Sequence, residues 1–524
     1  MLRGSMEINP VMLEVFKNKL SAIAEEMGVI LQKTAFSPNI KERKDFSCAI
    51  FDREGCLISQ AAHIPVHLGS MSASVKSAIE NCSFDEGDMV ILNDPYMGGT
   101  HLPDITVIAP VFIDKSLKFF VANRAHHADI GGVSAGSMPV STSIFQEGLV
   151  IPPVKLVKRG EIDKEIINII KGNVRTPEER EGDFYAQIMA NITGIKRIEE
   201  LVKRYSLSTV EFYMEKLLEY SEKIMRKRIK DIPDGIYTFE DYMEDDGVGN
   251  RDIKISLKLE INDDQAFLDF SDSDPQVNGS INAVRSITLS SVFYVFRSLI
   301  RENIPTNDGC FRPIKVITKK GTVVDATPPS AVSAGNVETS QRIVDVVLGA
   351  LSKALPEFIP SASQGSMNNI TIGGKDPDTN KEFTYYETIG GGMGAFAGGD
   401  GESAIQSHMT NTLNTPIEAL EYAYPFMVTQ YSVRKNSGGE GLFRGGDGII
   451  REIKLLTDAE VTVISERRRI PPYGLFGGKP GEVGRNYIIT EKGKILKEGK
   501  FSVKMKKGDR IRIETPGGGG YGKP

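Results

Sequence analysis

Histidine is the residue type to start from. The chain holds six, and five of them (His63, His67, His101, His126 and His127) fall between residues 63 and 127, with His408 apart. Imidazole is the commonest protein metal ligand and the side chain whose ordinary pKa lies nearest neutrality. His101-Leu102-Pro103-Asp104 sets an imidazole and a carboxylate three residues apart, and its proline argues against a helix interior. His126-His127 supplies two more imidazoles after an apolar run. A mixed nitrogen and oxygen set suits a divalent transition metal (Zn, Mn or Fe) better than Ca or Mg. Such an ion with an open position can lower the pKa of water and polarise a carbonyl. Asp45 and Asp94 are the available fourth ligands. His63 and His67, four apart around Pro65, are placed to orient ligands or substrate.

The elements that must position these groups can be read from periodicity. Asn9-Pro10 predicts a helix start, and Met12, Leu13, Phe16, Leu20, Ile23, Met27, Ile30 and Leu31 give it one apolar face. Ser47 to Phe51 and Cys56 to Ser59 predict a hairpin, and Ser70 opens a second helix. Three apolar runs, Met89–Leu92, Ile105–Phe112 and Leu117–Ala122, predict adjacent strands. Residues 183–230 are helical in pattern, with Ser208-Thr209-Val210-Glu211 matching a capping box. Alternating strands follow Asp231 to Asp234, helices are expected over 282–302 and 339–354, and the remainder is glycine-rich and then strand-rich. Gly517 to Gly520 with Tyr521 reads as a mobile or binding tail. The expected fold class is α+β, with mixed sheets, flanking helices and a strand-rich C-terminal part. The expected divisions are 1–232, carrying the metal site and a helical end, a middle α+β unit at 233–390, and 391–524.

Composition narrows the function. Among 524 residues, 63 Lys and Arg against 69 Asp and Glu give a net charge of −6, which disfavours a broad phosphate-binding face and so nucleic acid as a partner. No window approaches the roughly 18 apolar residues of a membrane span, and Met1 to Phe16 shows no secretory signal. The four cysteines form no C-x-x-C pair, which fits a reducing, cytoplasmic setting. Gly390 to Ala397 brushes against a dinucleotide fingerprint but lacks its β-α-β frame, so a lid or anion-binding loop is expected instead, with Glu402, His408 and Asn411 facing a substrate. Glu466-Arg467-Arg468-Arg469 suits carboxylate or phosphate binding and internal salt bridges equally well. There is no P-loop and no nucleophile elbow.

Several blocks together resemble the hydantoinase B/oxoprolinase family, at nearly full length. They are Ile40 to Ser47, Ala62 to Ser70, Asn93 to Ile105, Asn123 to Gly132, His408 to Glu418, Glu466 to Gly478 and Pro516 to Tyr521. The resemblance implies work beside a hydantoinase A-type ATPase subunit in a hetero-oligomer. Together the two chains would open small cyclic amides (hydantoins, 5-oxoproline, lactams), with ATP used on the partner. It further implies metal ligands at His101, Asp104 and His126, with Asp45 as fourth and His127 as the alternate at the double histidine. Asp94 and His127 are the candidates for proton transfer, Arg124 for holding a phosphoryl or carboxylate group, and His63, His67 and His408 for contacting substrate. Two other readings share these residues: a subunit of an acetone- or acetophenone-type carboxylase, and a non-catalytic scaffold for the ATPase.

Overall fold

Asn9 caps the first helix as its place before Pro10 predicts, its side chain accepting from the Val11 and Met12 amides. In the computed structural model, which describes residues 7–61 and 64–524, that helix, α1 (Pro10–Thr34), buries Phe16, Leu20, Ile23, Met27 and Leu31. The short α2 (Pro38–Lys41) then leads into the hairpin of β1 (Phe46–Asp52) and β2 (Leu57–Gln60). After α3 (Ser70–Asn81) come β3 (Met89–Leu92), β4 (Asp104–Ile113), β5 (Ser116–His126), β6 (Val154–Lys158) and β7 (Glu161–Ile162). These seven strands form one antiparallel sheet in the order β2-β1-β5-β4-β3-β6-β7.

Side-chain alternation divides that sheet into two faces. Ala49, Phe51, Val90, Ile108, Phe120 and Ala122 pack with Met71, Val75 and Ala78 of α3. Cys48, Ile50, Ile105, Val107, Ala109, Val121 and Ala125 face α1 and the long α5 (Pro177–Tyr205), which follows α4 (Lys164–Lys171). The next helix, α6 (Leu207–Lys230), is capped by Ser206 and not through the expected box at Ser208. Because α5 runs to Tyr205, the single residue Ser206 makes the break at φ 71°, and its hydroxyl accepts from the Thr209 amide. No disulfide joins the four cysteines.

The middle of the chain forms β8 (Gly235–Asp245), β9 (Arg251–Asn262) and β10 (Gln265–Asp269), then α7 (Arg285–Ser298), β11 (Ile314–Ile317) and α8 (Ser340–Ala354). The sheet order is β11-β10-β9-β8, with β11 parallel to β10. Helix α8 packs on α7, β8 and β9 and is buried nearly all round; a π-helical turn, Gly335–Thr339, leads into it. The apolar core containing Phe16 also contains Ile255, Val295 and Val347, so it runs unbroken past residue 232.

The remaining strands are β12 (Asn369–Lys375), β13 (Glu382–Glu387), β14 (Phe426–Arg434, after α9, Ile417–Ala423), β15 (Gly448–Leu455), β16 (Ala459–Ile464), β17 (Arg485–Thr490), β18 (Gly493–Lys497), β19 (Lys500–Met505) and β20 (Arg510–Glu514). They make two sheets, β13-β12-β16-β19 and β14-β15-β20-β17-β18, joined by a second apolar core that includes Ile370, Phe426, Ile453 and Ile511. Strands β12 and β13 thus pair with the C-terminal strands, across the division expected at 390.

The glycine-rich C-terminal run is not a free tail. Gly517 to Tyr521 is buried. The Gly518 amide donates to Gly446 O at 2.9 Å, Gly519 to Ala362 O at 2.8 Å and Gly520 to Lys479 O at 2.8 Å, while Ala395 donates to Gly519 O. Chains approach so closely that a methyl group built on Gly518 would overlap the Met393 carbonyl, and one on Gly445 the Gly518 carbonyl. Backbone packed directly on backbone demands glycine and satisfies the polar groups of buried non-sheet chain.

Candidate metal centre

Strand register assembles the centre. Asp104 opens β4 and His126 closes β5, and the two stand directly opposite each other in the antiparallel ladder. Asp45 immediately precedes β1, whose Phe46 pairs with Ala125, and the His126 amide donates to Asp45 O at 3.0 Å. Three adjacent strands therefore deliver Asp45, His126 and Asp104 to one end of the sheet. His101 lies on the turn before β4, held by a bond from the Asp104 amide to its carbonyl at 3.1 Å.

One donor atom from each of His101, Asp104 and His126 lies within 4.8 Å of the others, and all three residues are buried. His101 Nε2 is 3.3 Å and His126 Nδ1 3.2 Å from Asp104 Oδ1. Thr100 Oγ1 donates to Asp104 Oδ2 at 2.6 Å and Asn336 Nδ2 at 3.4 Å. His101 Nδ1 sits 3.2 Å from the Ser333 carbonyl, which sets the tautomer that leaves Nε2 bare. Nε2 of His101 and Nε2 of His126 are buried without a hydrogen-bond partner. Buried polar nitrogens are normally satisfied, so the orphaned His101 Nε2, 3.3 Å from the Asp104 carboxylate, fits a cation; the His126 atom facing Asp104 is Nδ1, and the ring's other nitrogen is the orphaned one. Ligands of a tetrahedral ion at about 2.1 Å stand about 3.4 Å apart, close to the 3.3 and 3.2 Å that separate Asp104 Oδ1 from His101 Nε2 and His126 Nδ1.

The three side chains set one another's charge. Burial alone would raise the Asp104 carboxyl, but His101, His126 and His67 hold it well below the usual carboxylate range. Burial alone would lower His101, yet Asp104 keeps it above its ordinary value. Burial holds His126 below its own, leaving a neutral donor.

Around the cluster is a small cavity of about 20 Å³, walled by Asp45, His67, Asp104, His126, Asn336 and Tyr386 among others. Asp45 reaches this wall with Arg43 Nη2 4.0 Å away, but stands outside the tight three-residue cluster. His67, expected on the substrate side, faces the cluster itself. Its Nδ1 is 2.9 Å from Ser47 Oγ and its Nε2 3.4 Å from Asp104 Oδ2. Tyr386 was not anticipated. Its ring stacks on His126 at 4.6 Å, the Arg43 guanidinium lies 4.7 Å from its centroid, and its hydroxyl donates to Asn369 Oδ1. Ser333 and Asn336 were missed as well, because each joins the centre from more than 200 residues away.

The other predicted residues go elsewhere. His127 points to the opposite face of the sheet, where Nε2 is 2.9 Å from Gln187 Oε1 and the ring stacks on Phe184; burial, reinforced by Arg180, pushes it down to about 4. Arg124 is buried beneath α3, donating to Thr106, Ser70, Ser74 and Gly98, with burial pushing it down to about 10. Asp94 caps the turn Pro95–Met97 by accepting from the Tyr96 amide, and burial raises it. His408 is half-buried with Nδ1 3.3 Å from the Tyr294 hydroxyl, next to Met409 and Thr410 of the cavity wall. His63 lies outside the described residues. The arginine cluster is spent internally: Arg467 binds Asp241 and Asp345, and Glu466 binds Arg342 and Lys500. No described helix is long and apolar enough to cross a membrane.

Comparison with known proteins agrees with this architecture. A protein of unassigned function from Methanocaldococcus jannaschii is 44% identical over 523 residues, covering 99% of this chain and 91% of its own. The 5-oxoprolinase of Dictyostelium discoideum is 42% identical over 530 residues, 99% of this chain but 40% of that protein, so the chain spans about two fifths of the length of that relative. The structure of ATP-dependent caprolactamase from Pseudomonas jessenii superposes with a TM-score of 0.93 at 31% identity, covering 99% of this chain and 92% of the other. The hydantoinase B/oxoprolinase model matches residues 9–524, and the chain belongs to that family.

Proposed function

We propose that this chain is the metal-binding subunit of an ATP-dependent cyclic amidase, acting with a hydantoinase A-type ATPase subunit on a hydantoin, 5-oxoproline or a lactam. The observation that carries the reading is the register-paired Asp104 and His126 with His101 beside them, two of whose imidazole nitrogens are buried and unpartnered. Similarity to caprolactamase and to a 5-oxoprolinase, the latter with further chain beyond the matched part, supports both the reaction class and the need for a second polypeptide.

His101, Asp104 and His126 would hold the ion, with Asp45 completing the set from the cavity wall. The ion would supply Lewis-acid stabilisation of negative charge developing on the substrate oxygen. An amide resists hydrolysis through resonance, and ATP-dependent phosphorylation of its oxygen on the partner would remove that resistance. The residues of this chain then orient and protonate. Ser333 O and Ser47 Oγ fix the rings of His101 and His67. His67, whose Nε2 lies 3.4 Å from Asp104 Oδ2 at the cavity wall, is the group we assign to take the proton of the attacking water and return it to the leaving nitrogen. Tyr386 forms part of the cavity wall, braced by the Arg43 guanidinium against its ring.

The test is metal content by mass spectrometry on the purified chain, wild type beside His101→Ala and Asp104→Ala. About one transition-metal ion per chain, lost in both variants with the circular dichroism unchanged, is expected. Reconstitution with the ATPase partner should give ATP turnover that depends on cyclic amide; turnover that depends on bicarbonate would instead make the protein a carboxylase subunit.

A further inference from the structure

Glu338 is a buried carboxyl that the amidase reading leaves unused. It lies on the π-helical turn Gly335–Thr339, a kind of turn that collects at functional sites. The turn is pressed on its support: a methyl group built on Gly335 would overlap the Asn282 carbonyl. Two of its residues, Asn336 and Val337, line the cavity at the candidate metal centre. Glu338 instead bonds to the chain entering β12. Its Oε1 accepts from the Met367 amide at 2.9 Å and from Asn369 Nδ2 at 2.7 Å.

Asn369 passes that hold on. Its Nδ2 also donates to Ile464 O at 2.9 Å, and its Oδ1 accepts from the Tyr386 hydroxyl at 2.9 Å. With both amide hydrogens committed, the amide oxygen is turned toward Tyr386. Strand pairing with Thr371 fixes the Tyr386 backbone, and the hydroxyl bond fixes its ring. That ring stacks on His126, with centroids 4.6 Å apart and planes 18° from parallel. Register with Asp104 fixes the His126 backbone. Its imidazole is held by Tyr386 and by the His101 ring, 5.1 Å away.

The chemistry of Glu338 suits a brace better than a charge. Its Oε2 is buried without a hydrogen-bond partner. The neighbouring cations are spent on other groups: Arg342 and Lys500 on Glu466, and Arg468 on Asn368, Asn486 and the Glu466 carbonyl. Burial, reinforced by Glu466, pushes the Glu338 carboxyl up to about 8, so it is an uncharged acid at neutral pH.

We propose that Glu338 is a positioning residue of the candidate metal centre: by accepting from Asn369 it fixes the Tyr386 hydroxyl, and the Tyr386 ring in turn sets the plane of the His126 imidazole. Its value to a metal rests on the reading above; the placement of the ring does not, and the two are measured separately.

Crystal structures of wild type, Glu338→Leu and Glu338→Gln read the ring without any metal. Leu removes the acceptor and should displace Tyr386 from the stack. Gln keeps an uncharged acceptor of the same shape and should leave the stack in place. Titration of the metal-free chain with zinc ion against a chromophoric chelator reads the consequence. Glu338→Leu should raise the zinc Kd at least five-fold, and Glu338→Gln less than two-fold. Tyr386→Phe removes only the hydroxyl and should match Glu338→Leu; it also tests the same link if the Leu chain fails to fold. The double variant should be no weaker than either single one, because both break one chain of contacts. Losses that add in the double variant would mark a carboxyl that merely supports the fold, and overturn the proposal. So would a ring unmoved in Glu338→Leu, a Gln variant as damaged as Leu, or Tyr386→Phe binding zinc like wild type. A wild-type chain that binds no zinc while the ring moves as expected sinks the metal-centre reading and leaves the brace standing.

Discussion

At the scale of single residues, the centre depends on partners that carry no metal-ligand chemistry. Glu147 is one. Its carboxylate is buried and accepts from Ser141 Oγ and from the amides of Val332 and Ser333, and the Ser333 carbonyl in turn holds His101. Burial pushes this carboxyl up to about 7. The folded state therefore holds its proton more tightly than the unfolded chain does. Stability from this group is fully present below about pH 4.5 and is lost as pH rises through about 7. Thermal denaturation of the chain should show Tm falling between pH 5 and pH 8, and Glu147→Gln should flatten that slope. A slope unchanged in the variant would remove Glu147 as its source. His67 belongs to this scale too. His67→Ala should leave metal content near wild type but reduce amide-dependent turnover at least 100-fold in the reconstituted enzyme, whereas loss of the metal as well would make His67 a ligand.

At the scale of elements, two features rest on backbone geometry. The break between α5 and α6 is a single residue, and Ser206→Ala should cost about 1 kcal/mol by removing the cap on Thr209. The glycine layer is far less tolerant. A side chain at Gly518 meets the Met393 carbonyl with no space to move into, so Gly518→Ala should destabilise by about 3 kcal/mol or more. Urea denaturation measures both. A Gly518→Ala protein as stable as wild type would mean that the segment is held far more loosely than its hydrogen bonds indicate. Composition announced the glycines, but spacing along the chain does not say that the distant runs around Gly392, Gly446, Gly478 and Gly518 meet. Only their mutual packing turns an apparent tail into interior.

At the scale of the whole molecule, buried ion pairs tie the middle sheet to the C-terminal strands. Arg467 reaches Asp241 on β8 and Asp345 on α8, while Glu466 joins Arg342 to Lys500 on β19. Removing one partner strands buried charge. Arg467→Met should therefore cost about 3–5 kcal/mol, read from the urea midpoint, and the same loss should reach the candidate metal centre indirectly, because Tyr386 comes from the C-terminal sheet. The site lies where the two parts meet: Asp104 and His126 come from the first sheet, His101 from the turn before β4, Asn336 from the turn before α8 and Tyr386 from β13.

The sequence by itself determined the local parts of this protein. Helices α1 and α3, the three strands carrying the histidine blocks and the pairing of His101 with Asp104 follow from short-range periodicity and spacing, and short-range interactions are what a linear pattern encodes. The clustering of a rare residue type marked the centre, and family resemblance marked the same side chains. Tertiary structure decided which neighbours count. Strand alternation sends His126 into the centre and His127 to the opposite face, although they are adjacent in the chain. Packing under α3 consumes Arg124, and capping occupies Asp94. Asp45, His67, Asn336 and Tyr386 gather at one cavity from positions up to 341 residues apart. Such separations are closed by burial of apolar surface elsewhere in the fold, a driving force that acts without regard to distance along the chain.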